Sequence, residues 1–275
     1  MSATPATNED PVFQQMSELY AHPVVQDFYH HVEVVAGFEL PPSIKSSFQR
    51  YHRHCFDDPK PAFTADWGES SPIWQWQKLH SESIFGSSQS AIAAVLYHRE
   101  NLLRLERDVL SFVDLDKLKE LVGKSGFGGG NTQKLDFEYH GFVFAYRRGL
   151  DYLARGIAAL LKEHFHSFRR LPTLLHNHSK HDWVCRLIDL HQQYSPELET
   201  FLGSDDERST RDRIAHYLHV PAGCLNANAL GVFFAGESLD HSKRLGDVID
   251  NYVRTLRSLM RDFLSTMMEG LPKKI

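Results

Sequence analysis

Apolar residues recur at intervals of three and four along most of this chain, the spacing that lines them up on one face of a helix. The first stripe, Phe13, Met16, Leu19, Tyr20, Val24, Phe28 and Val32, predicts a helix over Val12 to Ala36 with Pro23 as its kink or break. Ile44, Phe48 and Tyr51 predict a short second helix, and Pro59, Pro61, Trp67, Gly68 and Pro72 then mark a loop. Between Gln89 and Val113, Ile92, Val95, Leu96, Leu102, Leu103 and Leu110 make a long helix, after which Asp114 caps a shorter one ended by Gly123. A second long helix spans Phe137 to Phe165 and is rich in aromatics, among them Phe142, Phe144, Tyr146 and Tyr152. Ser179 with Asp182 starts another, and Ser195-Pro196 starts a short one that Gly203 ends.

Ser204-Asp205-Asp206-Glu207 has the form of a capping box and predicts the start of the next helix, whose Ile214, Tyr217 and Leu218 face inward before Pro221 and Gly223 end it. From Gly223 to Gly236, apolar residues on either side of Asn226-Ala227-Asn228 predict a small β-hairpin. The most regular stripe comes last, running from Leu245 through Ile249, Val253, Leu256, Met260, Phe263 and Met267. The fold class this predicts is mainly α: a helical bundle with long antiparallel helices and a small β-hairpin. Its organisation is a flexible tail (1–10), an N-terminal helical region (11–124), a glycine-rich connector (125–135) and a C-terminal helical bundle (136–270).

Composition adds constraints. With 275 residues, 42% of them hydrophobic and no apolar run of membrane-spanning length, the chain is expected to fold around a sizeable core with no membrane partner. Cys55, Cys185 and Cys224 are odd in number and form no CxxC pair, which argues against a disulfide framework and, with no signal-like start, predicts a cytoplasmic protein. The formal charge of -5 excludes a generally basic nucleic-acid-coating protein and gives no DNA signature, so any RNA contact has to be local.

The most compact chemistry is Arg211-Asp212-Arg213-Ile214-Ala215-His216. Residues turn by about 100° each in a helix, so Asp212 and His216 share a face and Arg211 is offset from it. A carboxylate beside an imidazole suits acid-base work near neutral pH, and a guanidinium suits a phosphate; on this reading Asp212 orients His216 while Arg211 takes the phosphate. The bland alternative is an ordinary exposed helix in which Arg208 and Asp212, also four apart, form a surface pair. Gly126-Phe127-Gly128-Gly129-Gly130 lacks the GxxxxGK[ST] arrangement of a phosphate loop and is expected to be a connector. His164, His166, His176, His178 and His181, with Glu163 and Asp182 nearby, raise a metal-binding alternative, but no HExxH is present and no cofactor or metal is expected. Trp67, Trp74 and Trp76 with Phe63 and Phe85 are expected to pack in the core or between domains.

Arg211-Asp212-x-x-x-His216 resembles the Arg-x(4-6)-His motif of HEPN-type helical proteins, and the resemblance extends loosely over residues 136–268: a long aromatic-rich helix, intervening helices, a motif helix and a long last helix. What the resemblance implies is a homodimer whose site forms where two motif helices meet. It further implies metal-independent endoribonuclease activity or RNA-phosphate binding in a toxin, phage-defence or CRISPR setting, with RNA or a protein antitoxin as partner. Arg211 would stabilise the phosphate, His216 would act on the ribose 2'-hydroxyl and Asp212 would orient the site. Other members of the family are non-catalytic, so a dimeric interaction module is the alternative.

Overall fold

The computed structural model describes residues 19–57, 62–63, 73–111, 132–204, 208–216, 220–228, 231–236 and 244–271, and the chain is mainly helical, the class its periodicity predicts. Two compact units are present, residues 1–39 and residues 40–275. In the first, helix α1 spans Pro23–Ala36. Pro23 sits in the first turn, where a missing N–H is harmless, and the amide of Val24 donates to His22 Nδ1 at 3.3 Å. The proline therefore starts a helix. Leu19 to Ala21 are helical before a bend at His22, and Phe13 and Met16 of the predicted stripe, with the expected tail, lie outside the described residues.

In the second unit, α2 (Pro42–His52) runs into a π-helical turn, Arg53–Asp57. The long helix expected from Gln89 starts earlier: α3 (Trp74–Ser81), a π-helical segment (Glu82–Ser88) and α4 (Gln89–Ser111) follow one another without a break. Then come α5 (Gln133–Leu160), α6 (Leu171–His176), α7 (Asp182–Tyr194), a 3₁₀ turn (Ser195–Leu198), α8 (Glu199–Leu202) and α9 (Thr210–His216). Strands β1 (Gly223–Asn228) and β2 (Gly231–Gly236) pair antiparallel, Gly223 opposite Gly236 and Asn228 opposite Gly231, and α10 (Leu245–Gly270) closes the chain. The helix predicted between Asp114 and Gly123, the glycine run, residues 205–207 of the predicted capping box, and Trp67, Tyr217 and Leu218 lie outside the described residues.

Helix α5 is the centre of the core: Phe142, Tyr146, Leu150, Leu153 and Ile157 are fully buried. It stops at Leu160 rather than near Phe165 because Lys162 adopts a left-handed conformation (φ 61°). The amides of Lys162 and Glu163 then donate back to Ala159 O (3.1 Å) and Ala158 O (2.9 Å), a Schellman cap built without glycine. Along one face of α5, Gly141, Gly149 and Gly156 meet His98, Ala91 with Ile92, and Ile84 in turn, so the α3–α4 rod runs antiparallel and close. Helices on both sides of the glycine-rich segment thus share one core.

Polar groups inside this seam are saturated. His80 is fully buried; its Nδ1–H donates to Gly156 O at 2.8 Å, which leaves Nε2 to accept from the Tyr51 hydroxyl at 2.9 Å. One imidazole therefore joins α2, α3 and α5. The Cys55 thiol is hydrogen-bonded to the same phenol, and burial pushes it up to about 12 and the phenol well above its usual range, so both stay protonated. Phe56, Phe63 and Phe85 cluster around this contact, whereas Trp74 and Trp76 are only half-buried, under Lys78 and against His164. Helix α10 covers α2 and α7 with Ile249, Leu256, Leu259, Phe263 and Met267, and Arg99 Nε donates to Asp250 Oδ1 at 2.7 Å to tie α4 to it.

Two outcomes follow. Burial lowers the His80 imidazole from 6.5 to about 4, so the unfolded chain binds the extra proton first and stability falls as pH drops from 6.5 to 4, by about 3 kcal/mol. Urea midpoints measured across that interval should decline, and decline less in His80→Gln, with His191, also lowered by burial, carrying the remainder. A Cβ at Gly156 would lie 2.5 Å from Ile84 Cδ1, while one at Gly149 meets nothing closer than 3.7 Å. Gly156→Ala is therefore expected to destabilise by about 1–3 kcal/mol, and Gly149→Ala to be neutral or stabilising by up to about 1 kcal/mol, in the same urea assay.

Candidate functional site: an arginine and aromatic face on α5 and α9

Helix α9 begins at Thr210, because the amide of Asp212 donates to Ser209 Oγ at 3.1 Å. Ser209-Thr210-Arg211-Asp212 is thus the operative capping pair, and the start expected from Ser204 and Glu207 is corrected: Arg208 and Ser209 still lie outside the helix. Asp212 sits in the first turn, where a carboxylate is favoured by the helix dipole. Its Oδ1 accepts from Arg211 Nη1 at 2.8 Å. Partial burial pushes this carboxyl up, but hydrogen bonds from Arg211 and Ser209 and the nearby charge of Arg147 outweigh it and hold Asp212 below its ordinary value.

These contacts answer the expected role of each motif residue. Asp212 is engaged by Arg211 and Ser209. Side chains lean toward the N-terminus of their helix, and the short carboxylate of Asp212 follows that lean, away from the residue four positions on. His216 is the exposed last residue of α9. Arg211 and Asp212, expected to diverge in role, are paired with each other.

Helix α9 rests near the middle of α5, with the Arg211 guanidinium 5.8 Å from the Phe144 ring centroid. The approach to it is gripped by two arginines. Arg147 donates from Nε to Asp151 Oδ2 (2.9 Å) and from Nη1 to Phe201 O (3.2 Å), and Arg169 Nη2 donates to Ser204 O at 2.7 Å. Asp151 also accepts from the amide of Phe168 at 2.9 Å. Beyond Phe144, at helical steps of four, four and three, follow Arg148, Tyr152 and Arg155, a continuous stripe of cations and aromatics. Arg148 is exposed, its guanidinium 5.6 Å from the Tyr152 ring centroid, and Tyr152 and Arg155 are half-buried.

Chemically, this face is a candidate for anion binding. Guanidiniums with rings between them offer fork-like donors and stacking surface, the combination that holds phosphates and unpaired bases. The reading of single residues missed it because Tyr146-Arg147-Arg148 lay inside a helix expected to be core; the arginine and aromatic positions at steps of three and four were the available signal.

The histidine-rich segment does not converge. His164 packs on Trp76 (4.8 Å between centroids) and His178 Nε2 lies 3.6 Å from Glu163 Oε1, and among the described residues no three His, Cys, Asp or Glu side chains are grouped to hold a metal ion. The buried His191 is occupied structurally, its Nε2–H donating to Phe168 O at 2.9 Å. A cleft of about 510 Å³ between α4 and the start of α10, lined by Leu103, Arg107, Leu110, Arg244 and Asp247, mixes both charge signs around an apolar floor. No described helix is long and apolar enough to cross a membrane. The chain shows no significant match to any protein-family model, curated protein or solved structure.

Removal of the cap isolates its contribution. Ser209→Ala should lower stability by about 1 kcal/mol, read as a shift in urea midpoint, and an unchanged midpoint would mean that α9 does not depend on this hydroxyl.

Proposed function

We propose that this chain is a HEPN-like, cytoplasmic, homodimeric protein that binds RNA through its phosphates. The observation that carries the reading is the stripe Phe144, Arg148, Tyr152, Arg155 with Arg211 beside it: several guanidiniums and rings on one face of a chain whose net charge of -5 gives no general affinity for nucleic acid. In this reading α5 supplies positioning contacts to the backbone, Tyr152 supplies a stacking surface, and α9 brings Arg211 to one end. Endoribonuclease chemistry would fall to His216 as the group acting on the ribose 2'-hydroxyl.

A second reading, the non-catalytic interaction module, is favoured by one ion pair: Asp212 already neutralises Arg211 within the motif, 2.8 Å away.

Fluorescence anisotropy with a short single-stranded RNA tests the first reading. Arg148→Ala and Arg155→Ala are each expected to weaken binding and to reduce the slope of log K against log salt by about 1. Binding that is absent, or indifferent to both substitutions and to salt, refutes it. Catalysis is tested separately by incubating the protein with RNA in EDTA: 2',3'-cyclic phosphate ends that disappear in His216→Ala are expected of an endoribonuclease, and no cleavage at all supports the interaction module.

A further inference from the structure

The chain that leaves α5 turns back along it. At the end of the helix the amides of Lys162 and Glu163 bond to Ala159 O and Ala158 O, and by Phe168 the backbone has returned to α5, its amide donating to Asp151 Oδ1 at 2.9 Å. Ala159 and Asp151 lie about 12 Å apart along the axis, so residues 162–168 retrace roughly two turns of the helix. Phe168 is then pinned from two further sides. Its carbonyl accepts from His191 Nε2–H at 2.9 Å, and its buried ring lies 5.6 Å from that of Phe263, centroid to centroid. Arg169 and Arg170 therefore start from a fixed position, and Arg169 Nη2 reaches Ser204 O at 2.7 Å on the approach to α9.

The side of α5 retraced in this way is the flank of the arginine and aromatic stripe. At about 100° per residue, Asp151 lies about 60° from Arg148 and about 40° from Arg155 around the helix. Phe144, over whose ring Arg211 sits, is within about 20° of Asp151. The contacts of α9 and of Phe168 thus follow one line along α5, beside Arg148 and Arg155.

The returning segment is basic. Residues 162–170 contain Lys162, Arg169 and Arg170, with His164 and His166, against Glu163 alone, and all three permanent cations are exposed. The one acid is directed to the loop between α6 and α7, where Glu163 Oε1 lies 3.6 Å from His178 Nε2. His164 packs on Trp76 of α3. The cap also engages Ala158 O and Ala159 O, carbonyls that would otherwise present partial negative charge to an anion at the end of the helix. Cations accordingly stand on two elements, Arg148 and Arg155 on α5 and Lys162 and Arg170 on the segment beside it. A single phosphate is satisfied by one or two guanidinium forks. Cations spread over the about 18 Å from Arg148 to the end of α5 match a ligand in which phosphate repeats.

We propose that Lys162 and Arg170 form a second bank of the phosphate-binding face, and that the ligand is a strand of repeated phosphates held between the two banks rather than a free nucleotide. The proposal rests on the RNA-binding reading and extends it to a second element of the fold.

Anisotropy titrations of a labelled single-stranded RNA over a range of salt concentrations test this. Lys162→Asn removes one charge with a residue type that tolerates the left-handed backbone, and Arg170→Gln removes the other. Together they are expected to flatten log K against log salt by about 1.4 to 2, as much as Arg148→Ala with Arg155→Ala. Lys162→Arg with Arg170→Lys keeps both charges and is expected to keep the parent slope. At matched phosphate concentration, unlabelled RNA should displace the probe and a nucleoside monophosphate should not. Binding that responds to the α5 pair but not to Lys162→Asn with Arg170→Gln overturns the second bank and leaves the RNA reading standing. A slope lost equally in the charge-keeping pair, or displacement by the monophosphate as effective as by RNA, overturns it in the same way. RNA bound by neither the parent nor any variant refutes the RNA reading, and the second bank with it.

Discussion

The close approach of the α3–α4 rod to α5 is the constraint on which the rest of the larger unit depends. Glycine in a helix interior is less favourable than alanine by about 1 kcal/mol, yet α5 carries Gly141, Gly149 and Gly156 on the face turned to the rod. Without side chains there, the His98 ring lies against the α5 backbone at one end and Ile84 does so at the other. The same proximity lets the rod hydrogen-bond to α5 carbonyls: Ser88 Oγ donates to Gly149 O and His80 Nδ1–H to Gly156 O. Because His80 then has only Nε2 left, and that nitrogen accepts from Tyr51, the position of α2 follows from the position of α3 on α5. Helix α10 completes the arrangement through Tyr146, whose hydroxyl donates to Tyr252 O at 3.1 Å from the middle of α5.

The sequence made the long regular parts of this arrangement legible and hid its irregular ones, for reasons visible at particular residues. Helix α10 was readable because Ile249, Val253, Leu256, Met260, Phe263 and Met267 keep steps of three and four and are all buried. The π-helical segment broke that signal. The buried positions of α3 and this segment are Gln77, His80, Ser83 and Ser88 with Ile84 as the apolar member, so a search for hydrophobic periodicity passes over them. The end of α5 was hidden differently: a left-handed cap is signalled by glycine, and here Lys162 holds that conformation. At α9 the chain offered two boxes, Ser204 to Glu207 and Ser209 to Asp212, with the same grammar. Only three-dimensional contacts choose between them, and they place the Asp212 amide on Ser209 Oγ and the Asp212 carboxylate on Arg211.

Motif spacing marks the segment, and the folded chain adds contacts within it that spacing does not give. Periodicity places Asp212 and His216 on one face and is silent about side-chain direction; a short carboxylate near a helix start is drawn to the free amides and the arginine there. The arginines of α5 escaped notice for a complementary reason. Arg147 and Arg148 are adjacent in a stretch dominated by Phe142, Phe144 and Tyr146, so they look like interruptions of a core helix. In the folded chain they part company. Arg147 turns inward to Asp151 and Phe201 O as a structural clamp, while Arg148 stays outside over Tyr152.

That separation explains where chemistry can occur in this molecule. Tyr51, Cys55, His80 and His191 have the functional groups of an active site, but each is buried, hydrogen-bonded and shifted toward its neutral form, so none can exchange a proton with a substrate without opening the core. The outer groups have the opposite character. Arg148 is exposed and Arg155 half-buried, and among the described residues no acid of α5 forms an ion pair with them as Asp151 does with Arg147. The buried acid-base groups thus serve cohesion, while the guanidinium of Arg148 stays at the surface.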